Sequence, residues 1–150
     1  MTIRVRCLIA LMVAVGLEGS LHSVGIKETA KLTISGPGLA QSLVVIDPPA
    51  LALSNVFGGA FIGTPATRPD AAWPRYTVAF DVQTLDGVKT AAYVVTYSKN
   101  RWTGEGFIYL PGRGDKSYRR NVSTILRNGQ DGRWHHASEA WCKAINERLP

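Results

Sequence analysis

The stretch YTVAFDVQTLDGVKTAAYVVTYS, residues 76–98, predicts a β-hairpin and thereby decides the fold class. Apolar and polar residues alternate in both halves, as they do in strands that bury one face. Asp86 and Gly87 lie between the halves, and Asp-Gly favours a two-residue hairpin turn whose central positions both need positive φ. The sequence therefore predicts two antiparallel strands joined at Asp86 and Gly87.

The alternation also predicts how these two strands pair. The turn brings apolar residues opposite one another on one face and mostly polar residues on the other. The predicted pairs are Tyr76 with Tyr97, Val78 with Val95, Phe80 with Tyr93 and Val82 with Ala91 on the apolar face, and Thr77 with Thr96 and Gln83 with Thr90 on the polar face. A shift of one residue would exchange the faces, so turn and pattern favour one register. Ala79 opposite Val94 indicates that the polar face is partly covered.

Other strands are predicted on both sides of the hairpin. AKLTISG (30–36) and SLVVID (42–47) precede it, and FIYLPG (107–112) follows it and ends at Pro111, which cannot donate to a strand ladder. GRWHHAS (132–138) is predicted to be short and extended, which makes a sixth strand possible. Residues 57–74 are rich in Gly, Pro and Ala and are predicted to form a long loop that closes over the core.

Three helices are predicted. Asp47 can cap a short helix that begins at Pro48. Residues 118–126 place Tyr118, Val122, Ile125 and Leu126 on one helical stripe. The β-branched Val122, Thr124 and Ile125 leave a strand open as an alternative. Ser138 can cap a closing helix that buries Trp141, Ile145 and Leu149. The predicted fold class is α+β: an antiparallel five- or six-stranded sheet with C-terminal helices packed on one face.

Residues 1–25 are predicted to be a secretory signal peptide. Arg4 and Arg6 precede the eleven-residue apolar run CLIALMVAVGL, which is too short to cross a bilayer, since that takes about 20 residues. The alternative is a buried N-terminal helix. Cleavage after Gly25 would leave a single globular domain, residues 26–150, that is secreted or periplasmic and has no transmembrane span.

Positive charge is concentrated in the last third of the chain. Residues 26–98 carry five Lys or Arg and five acidic residues, whereas residues 99–150 carry ten and five. If 116–127 is helical, one side carries Ser123 and the cations Lys116, Arg119, Arg120 and Arg127. We therefore expect a non-catalytic binding module that contacts an anionic envelope polymer or lipid head groups through these cations, without specific recognition of nucleic acid. The alternative for this face is an ordinary solvated surface.

A small extracytoplasmic hydrolase is the alternative function. It would use His135 or His136 near the 57–74 loop, or Cys142 as a nucleophile with a histidine base. Cys142 is the only cysteine in residues 26–150, which excludes an intramolecular disulfide there, and its place beside an apolar stripe favours a buried thiol. Adjacent histidines diverge on a strand, so neither a metal nor a cofactor is predicted.

The triplet Arg113-Gly114-Asp115 matches a known adhesion signal. It lies between a predicted strand end and a predicted helix start, where glycine and aspartate are ordinary turn residues. A three-residue match is weak outside its structural context, so a turn is the favoured interpretation.

Three segments together resemble a group of uncharacterised bacterial exported proteins. They are LTISGPGLAQSLVVIDPPAL (32–51), GEGFIYLPGRGDKSY (104–118) and DGRWHHASEAW (131–141). In that group a Gly-Pro-Gly turn, an Asp-Pro helix start, a Tyr-Leu-Pro-Gly-Arg-Gly segment and a tryptophan-containing C-terminal motif follow in this order. The resemblance implies an exported bacterial location and attaches no activity to the chain.

Overall fold

The computed structural model describes residues 28–121 and 129–150, so the predicted signal peptide lies outside the described residues. The strands are β1 (Glu28–Ser35), β2 (Leu43–Val45), β3 (Ile62–Ala66), β4 (Arg75–Thr84), β5 (Gly87–Lys99), β6 (Gly106–Tyr109) and β7 (Trp134–Ala137). The helices are α1 (Pro48–Leu53), α2 (Tyr118–Asn121) and α3 (Glu139–Asn146).

All strands join one antiparallel sheet in the order β2-β1-β4-β5-β6-β7-β3. The α+β class is confirmed, but the sheet has seven strands and not five or six. The unforeseen strand is β3, which lies inside the predicted 57–74 loop. Its sequence IGTPA lacks alternation, and Pro65 is tolerated because β3 is an edge strand that pairs only with β7.

The β4–β5 hairpin confirms the predicted register at its base and departs from it at its tip. Tyr76 pairs with Tyr97, Thr77 with Thr96, Val78 with Val95, Ala79 with Val94 and Phe80 with Tyr93. Beyond a bulge, Val82 faces Lys89 and not Ala91, and Gln83 faces Val88 and not Thr90.

The bulge forms where the Asp81 side chain binds a backbone N–H of β5. The Asp81 carboxylate accepts a hydrogen bond from the Ala91 backbone N–H at 2.8 Å and forms an ion pair with Lys31 at 2.8 Å. Ala91 adopts a φ of 44°, which is uncommon for a residue with a Cβ. Because two β5 residues are absorbed here, Thr84 pairs with Gly87 and the loop consists of Leu85 and Asp86.

One face of the sheet forms the hydrophobic core under α1 and α3. Both predicted caps are present: the Asp47 carboxylate accepts from Ala50 N at 3.2 Å, and the Ser138 hydroxyl accepts from Trp141 N at 3.4 Å. The helix α3 contributes Trp141 and Ile145, whose side chains are fully buried. This confirms the predicted C-terminal helix on one face. The largest fully buried sheet residues are Tyr76, Tyr93, Tyr97, Phe80, Leu32, Ile34 and Ile108.

A buried polar chain connects the core helices to β1. The Trp141 indole N–H donates to Ser54 Oγ at 2.9 Å, and the Ser54 hydroxyl donates to the Ala50 carbonyl at 2.6 Å. Thr29 Oγ1 donates to the Ser54 carbonyl at 2.6 Å. Since buried polar groups are stable only when hydrogen-bonded, this chain fixes where α3 meets the end of α1.

Asn121 closes the edge of β5 where β6 stops. The register of β6 would place Pro111 opposite Val94, and proline has no N–H to offer. The Asn121 amide takes that place: Oδ1 accepts from Val94 N at 2.9 Å and Nδ2 donates to Val94 O at 3.0 Å and to Gly129 O at 2.9 Å. The helix α2 ends at this residue within the described chain, and the predicted helical positions Val122, Ile125 and Leu126 lie outside it.

Candidate functional site

The sheet face opposite α1 and α3, here called the open face, carries two rows of side chains that run across the strands. In the first row each residue is the register partner of the next: Ser35, Thr77, Thr96, Tyr109, Trp134 and Ala66. In the second row Arg75 pairs with Ser98, Ser98 with Phe107 and Phe107 with His136. Hydroxyl groups, aromatic rings and a guanidinium therefore lie on the same side of the sheet, where Ser98 and Phe107 of the second row are buried.

Two adjoining cavities lie on this face and together form what we call the open-face groove. One has a volume of about 370 Å³ and the other of about 180 Å³, and they share Thr96, Tyr109 and Asp115. The larger is completed by Arg68, Arg75 and Trp134. The smaller is completed by Thr77, Val94, Val95, Pro111, Lys116 and Ser117.

Aromatic contacts position the cationic end of the groove. The Arg75 guanidinium lies over the Trp134 ring, 5.4 Å from its centroid, and the Tyr109 and Trp134 rings are 5.3 Å apart. Arg75 also donates to the Pro69 carbonyl at 3.5 Å, and its Nε is buried without a hydrogen-bond partner in the described chain. A guanidinium held by stacking keeps donors available to a ligand.

Asp115 organises the turn at the centre of the groove. Its Oδ2 accepts from the Gly112 N–H at 2.6 Å and from the Tyr109 hydroxyl at 2.9 Å. The Asp115 N–H donates to the Gly112 carbonyl at 2.9 Å. Burial raises the pKa of Tyr109, and its bond to Asp115 adds to the rise, so Tyr109 remains a neutral donor. The triplet 113–115 is thus part of a turn, as predicted, and its carboxylate is engaged within the chain.

The predicted binding residues fall into three groups. Lys116 is exposed and lines the groove. Arg119 and Arg120 are exposed on α2, and within residues 28–121 and 129–150 neither they nor Lys116 form an ion pair. Arg127, like Ser123, lies outside the described residues. Arg113, in the turn that precedes α2, is a further exposed cation of this part of the chain.

Sequence reasoning missed Arg68, Arg75 and the aromatic pair of the groove. Arg68 stands in the predicted loop and Arg75 just before the hairpin, whereas Trp134 belongs to a segment whose neighbour was unknown. Strict alternation supplied a usable signal, because Arg75, Thr77 and Ala79 share the face that the apolar residues leave. Nothing in the sequence shows that β7 brings Trp134 beside Tyr109.

The two histidines lie next to the 57–74 segment but do not form a common site. Pro65 is the register partner of His135, which is 3% exposed, and its ring nitrogens lie 2.8 Å from Asp131 Oδ2 and 3.3 Å from the Gly63 carbonyl oxygen. His136 points to the open face, 3.0 Å from Glu105. The rings therefore project to opposite sides of β7, and both nitrogens of His135 already have partners.

Cys142 is a buried free thiol, as its place beside the apolar stripe predicted. It is 7% exposed and packs beneath β6, where a Cβ on Gly106 would approach its Sγ to 2.4 Å. Burial raises the pKa of the thiol above its ordinary 9.0. Since the thiolate is the reactive form, this environment disfavours a nucleophilic role.

A larger cavity of about 540 Å³ lies at another end of the molecule. It is lined by Lys99 and Arg101 together with Tyr76 and Pro150. Desolvation and the nearby Arg101 charge lower the pKa of Lys99. The Lys99 ammonium donates to the Pro150 carbonyl at 2.7 Å, so the open-face groove has more uncommitted cations.

No family model, curated protein or solved structure matches the chain. Among the described residues, no helix has the length and apolar character needed to cross a membrane.

Proposed function

We propose that the protein is an exported bacterial binding module, without catalytic activity, that holds an anionic envelope polymer in the open-face groove. The partner is recognised by the groove cations Arg68, Arg75 and Lys116 and by Arg119 and Arg120 on α2. Arg127, which lies outside the described residues, is included on its sequence position alone. The proposal includes residues 1–25 as the signal for export, supported by their basic and apolar order and by the resemblance to exported proteins.

One observation supports the proposal: cations without acidic partners in the described chain converge on a groove of the sheet face that α1 and α3 leave free. Three line the groove, and Asp115, which among the described residues is the only acidic one that lines it, already accepts two hydrogen bonds. Clefts lined by one sign of charge concentrate the field and raise the local concentration of oppositely charged ligands. A surface that served only to be hydrated would not need to gather its cations there.

Binding to polyanions at different salt concentrations tests the proposal. The chain comprising residues 26–150 should bind polygalacturonate or polyphosphate, with an affinity that falls at least about tenfold between 0.05 and 0.2 M salt as screening increases. The double variant Arg68→Glu/Lys116→Glu, which changes two exposed cations that line the groove, should weaken binding by roughly a further tenfold. The matched control is Arg101→Glu/Lys143→Glu, which makes the same charge change at exposed sites outside the groove.

Equal losses in the two double variants would mean that only net charge matters and that the groove does not. A wild-type chain that binds none of these polymers at low salt would refute the proposed function itself.

A further inference from the structure

We infer that the polymer is an acidic polysaccharide, a sugar chain bearing carboxylates, and that the first row of the open face is its binding track. This inference rests on the proposed function and narrows it, because polyphosphates, nucleic acids and lipid head groups are also anionic. The reason is that most of the groove consists of groups that a bare phosphate polymer has no use for.

The first such groups are the rings of Tyr109 and Trp134. They lie side by side on the open face, 5.3 Å apart, and both are half-buried, so part of each remains accessible. Aromatic rings contribute binding energy by packing against apolar surface, and the C–H faces of a sugar ring provide such surface. Phosphate groups provide none.

The second group is the Asp115 carboxylate at the point shared by both cavities. Both of its hydrogen bonds within the described chain end on Oδ2, so Oδ1 is free to accept from a ligand. A sugar chain has hydroxyl donors to offer it. Inorganic polyphosphate has only acceptors and charge, which a fixed carboxylate repels.

The third group is the line of hydroxyls that continues the track. Ser35, Thr77 and Thr96 follow Tyr109 in register across β1, β4 and β5. Each hydroxyl can both donate and accept, which suits the mixed donors and acceptors along a sugar chain. From Ser35 to Ala66 the row crosses six neighbouring strands, a length of about 24 Å at the usual strand spacing, which accommodates a short oligosaccharide.

The cations of the groove then bind the carboxylates of the sugar chain. Arg68 and Arg75 line the same cavity as Trp134, and Lys116 lines the other. A guanidinium can bind a carboxylate through two parallel hydrogen bonds, a geometry that a lysine cannot provide. Sugar stacking beside Trp134 would thus place a carboxylate within the reach of Arg75.

The experiment compares three polymers and two variants by titration calorimetry. Polygalacturonate supplies carboxylates and sugar rings, its fully methyl-esterified form supplies the same rings without charge, and polyphosphate supplies charge alone. Polygalacturonate should bind at least about tenfold more tightly than either, and should retain measurable binding at 0.5 M salt, where screening removes most of the purely ionic attraction. Trp134→Leu should weaken polygalacturonate binding about tenfold and polyphosphate binding clearly less, since the latter loses only the ring that positions Arg75.

The matched control is Trp102→Leu, which removes a tryptophan that is 82% exposed and lies outside the groove. Asp115→Asn, which keeps an acceptor but removes the charge, should improve polyphosphate binding more than polygalacturonate binding. Circular dichroism and unfolding curves establish that each variant is folded before binding is compared.

Polyphosphate, or vesicles with anionic lipids, binding as tightly as polygalacturonate would overturn the inference while leaving a polyanion-binding function in place. The same holds if Trp134→Leu weakens both charged polymers equally. If neither charged polymer binds, the proposed function fails with it.

Discussion

The two faces of the sheet are built from the same alternating strands yet are completed in different ways. On the core face, α3 covers Tyr97 with Trp141, whose ring lies 5.1 Å from the tyrosine ring, and the tryptophan N–H is bonded to Ser54. On the open face, Tyr109 faces Trp134 at a similar distance, but a guanidinium lies over the tryptophan, and α1 and α3 pack on the other side of the sheet. The same pair of residue types thus closes one side of the sheet and leaves a groove on the other.

Replacing Trp141 and Trp134 one at a time tests this difference between the two faces most directly. Trp141→Ala removes a fully buried ring and leaves Ser54 without its donor, so the free energy of unfolding should fall by about 3–5 kcal/mol. Trp134→Ala removes a half-buried ring and should cost less than half as much. Urea unfolding followed by circular dichroism measures both, with Trp102→Ala as a surface control expected within about 0.5 kcal/mol of the wild type. Equal costs for Trp141 and Trp134 would mean that the open face is a second core.

Replacing Asn121 tests how the edge of β5 is closed where β6 stops. Asn121→Ala leaves the Val94 N–H and carbonyl without their partners at a buried edge, so we expect a loss of roughly 2–3 kcal/mol. Asn121→Asp should be at least as damaging, because a carboxylate would face the carbonyls of Val94 and Gly129 with no N–H to donate. Hydrogen exchange of the Val94 amide gives the local readout, and an unchanged exchange rate would contradict the role assigned to Asn121.

Gly106 tests how closely α3 approaches the sheet. A Cβ at this position would lie 2.4 Å from Cys142 Sγ and 2.6 Å from the Tyr97 ring, so Gly106→Ala should lower stability by about 1–3 kcal/mol. Gly114→Ala is the matched control, since a Cβ there meets nothing within 4 Å. Thermal unfolding of both variants should separate them clearly, and similar melting temperatures would show that α3 can move away at little cost.

The smallest expected effect is an alkaline weakening of the core face. Burial raises the pKa of Cys142 above 9.0, so as the pH rises through 9 the unfolded chain loses this proton before the folded chain does. Stability is therefore full below pH 9 and declines above it, by at most about 1.4 kcal/mol per pH unit for this one group. Cys142→Ala should lack this part of the decline. Unfolding free energies at pH 8 and pH 10 for both chains measure it, and parallel declines would contradict it.

Sequence patterns predicted the parts of the molecule in which one local rule acts alone. The base of the hairpin follows from alternation, α1 follows from its Asp47 cap and Pro48, and α3 follows from its Ser138 cap and apolar stripe. The hairpin tip does not, because the Asp81 carboxylate captures the Ala91 N–H and changes the register. The other oxygen of the same carboxylate pairs with Lys31 on β1, a contact between strands that no local pattern reveals.

Part of the positive charge of the candidate site could be predicted from the sequence, but the shape of the groove could not. Lys116, Arg119 and Arg120 were identified because they share one side of a helix predicted over 116–127. The structure shows all three exposed, although the helix begins only at Tyr118 and Lys116 lies in the turn before it. The groove itself needs Arg68 and Trp134, which belong to segments whose pairing with one another spans much of the chain. Residues without periodicity, such as those of β3, give no information on which strand they will join.

The strand order has a consequence for the order in which the sheet folds. The chain runs from β2 at one border of the sheet to β3 at the opposite border, and β3 has no partner until β7 exists. Contacts between such distant segments form late, because a long loop must close before they bring any gain. When the chain emerges amino end first from a ribosome or a channel, β3 therefore stays unpaired at its edge of the sheet until β7 has emerged.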